Sequence, residues 1–247
     1  MKQNIYDNKD FFSGYKDLRD RKAGFNEVLE QPAILSLIPE IANKAILDIG
    51  CGMGDLCRFF AEADAGKVIG VDISSNMLQI ARERTRIYSN VQLYQSAIED
   101  FDTIPEQFDL IVSSLALHYV QDLSAVFVKV HKWLKESGRF VFSVEHPFAT
   151  CRQGIHPGWE KDDKGNNLFW QVDSYSDEGM RKSKWFVEDV VKYHRTISTI
   201  INGLIDSSFR IGKVLEPFAE EKYEIERPEL KEERRRPPFL LVLASKD

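Results

Sequence analysis

The 247-residue sequence has little that would place it in a membrane, a secretory route or a metal-dependent class. No apolar run approaches the ~18 residues of a membrane span. The opening Met1-Lys2-Gln3-Asn4-Ile5 has no signal-peptide core, so a cytoplasmic protein without membrane partners is expected. Only three cysteines occur, an odd number without CxxC spacing, and they suggest neither a disulfide framework nor a zinc site. No metal is expected. Cations are outnumbered, 33 Lys and Arg against 39 Asp and Glu, for a net charge of −6. That balance argues against nucleic acid as a general partner, although a local basic patch stays open. Internal repeats and low-complexity tracts are absent. What remains, 43% hydrophobic and 29% charged residues, is the composition of an ordinary globular domain long enough to bury a full core.

Against this background one stretch stands out: Ala45-Ile46-Leu47-Asp48-Ile49-Gly50-Cys51-Gly52-Met53-Gly54-Asp55. An apolar run, three glycines at alternate positions and an amphipathic continuation (Leu56, Phe59, Phe60) describe a strand, a tight turn and a helix start. Missing Cβ atoms let backbone amides approach a ligand and allow positive φ. Cys51 fits this turn as a small residue rather than a nucleophile. A second apolar run, Val68-Ile69-Gly70-Val71, ends at Asp72, where a carboxylate can accept hydrogen bonds from both hydroxyls of a ribose. An adenosine-containing cofactor is therefore expected. The dinucleotide fingerprint G-x-G-x-x-G lacks its third glycine here, because Asp55 takes that place. An acid at a helix start repels a pyrophosphate, whereas Asp48 and Asp55 suit a cationic ammonium or sulfonium.

Strand-like and helix-like periods alternate from about 45 to 145, which predicts α/β architecture with a parallel sheet covered by helices. Strands are read at 45–49, 67–71, 91–94, 108–113 and 139–144, with Gly138 as a break before the last of these. Asn76 and Gln79 have capping-box spacing for a helix through Arg84. Two further strands, 210–215 and 239–244, follow an apolar helix over 196–208 and suggest a closing antiparallel hairpin. The charged stretch 229–236 is expected to be a solvated connection. Residues 148–195 break the alternation and mix Trp, Tyr and Phe with polar residues and glycines, as suits a substrate lid. Residues 1–35 are expected to form a helical cap, leaving 36–147 and 196–247 as the core.

The G-x-G-x-G turn with Asp48 and Asp72 resembles motif I of class I S-adenosylmethionine-dependent methyltransferases. Ser113-Ser114-Leu115-Ala116-Leu117-His118-Tyr119, Phe142-Ser143-Val144-Glu145-His146-Pro147, Tyr193-His194-Arg195-Thr196, Glu216-Pro217 and Arg236-Pro237-Pro238-Phe239-Leu240 resemble a broad group of small bacterial and fungal methyltransferases of the type 11 kind. The resemblance implies a Rossmann-like, seven-stranded, mostly parallel sheet with helices on both faces and an antiparallel last strand. It implies S-adenosylmethionine as cofactor and S-adenosylhomocysteine as product. Gly50, Gly52 and Gly54 would line the methionine and ribose portions, and Asp48 would lie near the amino group. Asp72 would hold the ribose, Ile73 and Met77 would lie against the adenine with Ala97 and Ile98 nearby, and Ser114 and Leu115 would border the methionine.

Methyl transfer to an oxygen or nitrogen of a small molecule is the expected reaction. His118, and His146 with Glu145, are the candidate bases, since histidine suits proton transfer near neutral pH. Each histidine has a competing role as a hydrogen-bonded scaffold, which weighs more for His146 than for His118. Tyr15, Arg19, Trp159, Tyr175, Arg181, Trp185, His194 and Arg195 are candidates for the acceptor pocket. A structural role is favoured for His194-Arg195, and ion pairing competes for Arg181 and Arg195. RNA or protein methylation, a non-catalytic cofactor sensor and a nicotinamide oxidoreductase are the weighed alternatives. Either a monomer or a homodimer is compatible with these features.

Overall fold

The computed structural model describes residues 2–20, 24–154 and 158–247. Seven strands form one sheet: β1 (Ala45–Ile49), β2 (Lys67–Asp72), β3 (Val91–Gln95), β4 (Phe108–Ser113), β5 (Leu134–Glu145), β10 (Phe209–Leu215) and β11 (Phe239–Lys246). Their order is β10-β11-β5-β4-β1-β2-β3, with β11 antiparallel to both neighbours and the other pairings parallel. Central parallel strands must bury both faces, so β1, β2 and β4 read as near-continuous apolar runs. Alternate residues then serve two cores. Leu47, Ile111, Phe140 and Phe142 pack with α5 (Leu123–Trp133) and α7 (Ile197–Asp206). Ile46, Val68, Leu110 and Val141 pack with α2 (Gln31–Leu37), α3 (Asp55–Glu62) and α4 (Ser75–Thr85).

Two boundaries differ from the sequence reading. The N-cap of α4 is Ser74, whose Oγ accepts from Met77 N at 3.2 Å, so the capping residue lies two positions before Asn76. Gly138 lies inside β5, because Leu134 already pairs with Phe108 before the register shifts. The last two strands pair antiparallel, as the hairpin reading expects, with β11 between β10 and β5. Their connection carries α8 (Glu221–Glu226) and the 3-10 turn Pro228–Arg234.

After β5 and the one-turn α6 (Pro147–Thr150), the chain leaves the main sheet. It forms two separate hairpins, β6 (Trp159–Lys161) with β7 (Asn167–Trp170) and β8 (Gly179–Trp185) with β9 (Val187–His194). Before β1 come a 3-10 turn at Ile5–Asp7, α1 (Lys9–Asp20) and a π-helical turn at Asn26–Glu30 that runs into α2. No helix among the described residues is long and apolar enough to cross a membrane.

Candidate functional site

A cleft of about 1150 Å³ opens at the carboxyl ends of β1, β2, β4 and β5, where open α/β sheets place their ligands. It exceeds the ~300–1,000 Å³ usual for a single small-molecule site. The glycine turn forms its floor. Gly50 has φ +70° and its Cβ would lie 2.4 Å from that of Ala116, so the turn is pressed against the segment leaving β4. Gly52 has φ +53° and a Cβ there would meet no atom within 4 Å; a side chain would project into the cleft. Gly54 serves packing instead. Its Cβ would stand 3.0 Å from that of Ala81 on α4, and Gly54 does not line the cleft, which corrects its expected place beside the cofactor.

Asp72 ties the turn to the next helix. Its two oxygens accept from Gly52 N at 2.9 Å and Ser74 N at 2.8 Å. Burial pushes its pKa above the usual carboxylate range against the pull of these amides. Ile73, Met77, Ala97 and Ile98 continue this wall. Asp48, 1% exposed, receives only the Cys57 thiol at 3.3 Å, and no cation pairs with it among the described residues. Burial raises its pKa to about 7. Asp55 binds Arg84 at 2.8 Å and Arg19 at 3.1 Å, and is thereby neutralised at the start of α3.

Ser114 and Leu115 leave β4 on the opposite wall. Leu115 has φ +50°, a strained conformation for a branched residue that tends to mark functional positions. Its N–H bonds Ser143 Oγ at 2.9 Å. Behind them lies Glu30, which no sequence signal singled out: it carries no motif and ends the π-helical turn. Its Oε1 accepts from Ser114 Oγ at 2.8 Å and Ser143 Oγ at 2.6 Å, and burial raises its pKa.

Beyond these acids the cleft becomes aromatic. Tyr6, Tyr15, Tyr119 and Trp185 line it, with Tyr6 edge-on to Tyr15 at 5.1 Å and Tyr15 edge-on to Trp185 at 5.8 Å. Burial raises the Tyr6 and Tyr119 hydroxyls far above their ordinary pKa, so they stay protonated. His118 and Glu145 also line this end. The Glu145 N–H points at His118 Nδ1 at 3.4 Å, so Nε2 carries the ring proton, and burial lowers the imidazole pKa to about 4. His118 thus offers a donor rather than the expected base. Burial opposes ionisation of Glu145, but Lys192 at 2.5 Å and neighbouring charges outweigh it, and the pKa falls. A carboxylate held this way is a poor proton acceptor.

Six further candidates stand outside the cleft, each occupied by the fold. His146 is fully buried; Nδ1 accepts from Phe148 N at 3.1 Å to cap α6, and Nε2 meets Glu216 at 2.9 Å. His194 joins Thr150 Oγ1 and the Tyr175 carbonyl, both at 2.9 Å. The Tyr175 hydroxyl accepts from Ile197 N at the start of α7. Arg181 donates to the carbonyls of Cys151, Met180 and Asp177. Arg195 donates to those of Val120 at 2.6 Å and Gln121 at 2.8 Å. Trp159 packs edge-on against Trp170 at 5.5 Å, under Arg235. Their side chains are taken up by backbone carbonyls, neighbouring side chains or a ring, and so fasten the insert and its junctions with the core. Trp170 and Arg236 line the cleft in their stead, with the guanidinium 4.1 Å over the indole ring.

The fit of a nucleoside cofactor with a cationic amino-acid tail follows from this chain alone: open space over Gly52, a carboxylate at Asp72, and buried acids without a cation. Comparison with known proteins agrees. The profile of the Methyltransferase domain family matches residues 41–184. An uncharacterized protein of Haemophilus influenzae is 37% identical over 251 residues, covering 99% of this chain and 98% of its own. The crystal structure of an S-adenosylmethionine dependent methyltransferase from Mesorhizobium loti superposes with a TM-score of 0.81 at 40% identity, covering 88% of this chain and 97% of that one. N-methyltransferase NodS from Bradyrhizobium japonicum, in complex with S-adenosylhomocysteine, shares the fold at 17% identity, with a TM-score of 0.58 over 99% of this chain and 92% of its own. The chain belongs to the methyltransferase domain family, and within it to the class I S-adenosylmethionine-dependent methyltransferases.

Proposed function

We propose that the chain methylates an oxygen or nitrogen of a small acceptor held in the aromatic end of the cleft. The observation that carries this reading is the continuity of the cleft from Asp72 and the glycine turn to Trp185 and Trp170, with volume for two ligands. In this reading Asp72 holds the ribose hydroxyls, Ile73, Met77, Ala97 and Ile98 border the adenine, and Asp48, Gly50, Ser114 and Leu115 border the methionine. Bound there, S-adenosylmethionine supplies a methyl group on a cationic sulfur, an electrophile that needs no further activation.

The protein's part is then mostly positional. It must hold a nucleophile about 3 Å from the methyl carbon with its lone pair directed along the bond being broken. His118 as a donor orients the acceptor, and the aromatic walls exclude water. With Glu145 clamped by Lys192 and the tyrosines protonated, the site favours an acceptor whose attacking lone pair is free at neutral pH. Residues 148–195 serve in this reading as the acceptor lid and residues 1–35 as the cap. RNA or protein methylation is disfavoured because the cleft is lined from both the N-terminal segment and the insert, which suits a small ligand.

The test is transfer of labelled methyl groups into a fractionated cell extract. Label in the low-molecular-mass fraction is expected. Label confined to RNA or protein would overturn the acceptor class, and cofactor binding without transfer to any fraction would make the protein a sensor.

A further inference from the structure

Glu30 is the one buried acid in the cleft wall that the cofactor contacts just described leave without a task. It is 1% exposed, and its position is over-determined: two serine hydroxyls, one from the exit of β4 and one from within β5, converge on Oε1. Its Oε2 has no hydrogen-bond partner. A buried carboxyl oxygen without a donor is costly, and native structures seldom keep one without a reason. Arg19 is the cation that acts on Glu30, and it is already held by Glu27 at 2.9 Å and Asp55 at 3.1 Å. Asp48, near enough to feel the Glu30 charge, likewise lacks a cation. The π-helical turn that presents Glu30 is a rare geometry, frequent at functional sites.

Resting on the cofactor reading above, we propose that Glu30 and Asp48 form a two-carboxylate seat for the α-ammonium of the cofactor's methionine. The ammonium supplies three donors, enough for Oε2 of Glu30 and the carboxylate of Asp48 together. Ser114 and Ser143 fix Glu30 in place through Oε1 and leave Oε2 for the ligand. The π-helical turn thereby couples the segment preceding β1 to the amino-acid end of the cofactor.

The experiment is a binding cycle by calorimetry on the full chain: wild type and Glu30→Gln, each with S-adenosylhomocysteine and with its desamino analogue, which keeps the carboxylate but lacks the ammonium. Wild type should bind S-adenosylhomocysteine at least tenfold more tightly than the analogue. Glu30→Gln should weaken S-adenosylhomocysteine about tenfold and leave the analogue within twofold, since glutamine keeps an acceptor for the two serines but loses the charge. Glu30→Asp, charged but one methylene shorter, should fall between. Equal weakening of both ligands would assign Glu30 a merely structural role and overturn the proposal, as would unchanged affinity for S-adenosylhomocysteine. Should wild type bind neither ligand, the cofactor reading itself falls, an outcome distinct from a failure at Glu30.

Discussion

Asp48 makes the most demanding test of this electrostatic account. Its carboxylate is 1% exposed, receives one thiol, and burial holds its pKa at about 7. The ordinary value in an unfolded chain is about 3.9. The folded chain therefore holds this proton more tightly than the unfolded one. The associated stability is fully present below about pH 4 and is lost as the pH rises to about 7. Three pH units at about 1.4 kcal/mol each amount to about 4 kcal/mol lost by pH 8. Asp48→Asn removes that loss but buries an amide whose partners are incomplete, at a cost of about 1–2 kcal/mol. The variant should thus be more stable than wild type by roughly 2–3 kcal/mol at pH 8, a Tm higher by roughly 5–10 °C for a chain of this size. At pH 4 the sign should vanish or reverse. The assay is paired thermal unfolding at both pH values without cofactor. A variant no more stable at pH 8, or a difference that does not change with pH, would refute the argument. The same proton predicts function: wild-type affinity for S-adenosylhomocysteine should rise between pH 6 and 8 as Asp48 ionises, and rise less steeply in the variant.

Asp72→Ala should weaken S-adenosylhomocysteine by 100-fold or more, because hydrogen bonds to a charged group contribute about 1.5–3 kcal/mol each; retained affinity would remove Asp72 from the site. Gly52→Ala should fold, with a small loss for alanine at positive φ, yet bind the cofactor poorly because its methyl group enters the cleft; calorimetry beside a melting curve separates the two effects. His118→Gln keeps a donor and should retain turnover within about tenfold, with no ionisation near pH 6.5 in kcat at saturating cofactor; a loss near 1,000-fold would restore a general base. Arg181→Ala leaves the carbonyls of Cys151 and Asp177 short of a donor, and should speed hydrogen exchange across 147–195 while β1 and β4 keep wild-type protection.

How much of this was legible depended on whether one segment held the whole instruction. Strands β1, β2 and β4 were readable because burial on both faces demands an uninterrupted apolar run, and the glycine turn because its φ values exclude most side chains. Gly138 does not end the pairing because strand pairing is a property of two strands: Leu134 joins β5 through Phe108, which lies 26 positions earlier. The inserted hairpins were harder. Arg181, His194 and Arg195 carry the groups that would bind a carboxylate or move a proton, yet the same groups satisfy buried carbonyls equally well. Only the fold decides between those uses. Glu30 and Asp7 gave no signal because their partners are distant. Asp7 accepts from Ser74, Ser75 and Asn76, fastening the N-terminal turn onto the start of α4.

The two ends of the cleft differ in how their charges are compensated, and the difference bears on what each end receives. At the proposed acceptor end the lining acid Glu145 has a cation, Lys192 at 2.5 Å, and the Arg236 guanidinium stands over the Trp170 ring. At the cofactor end Asp48 and Asp72 meet only weak or uncharged donors, Glu30 is served by two hydroxyls, and burial raises all three pKa values. Uncompensated buried acids cost stability that a ligand cation can return by mass action, since binding to the folded state alone stabilises it. The charge demand of this site therefore lies with the methyl donor. In the proposed reading the acceptor end, with Glu145 paired and walls of Tyr6, Tyr15, Tyr119, Trp170 and Trp185, selects by shape and ring contact.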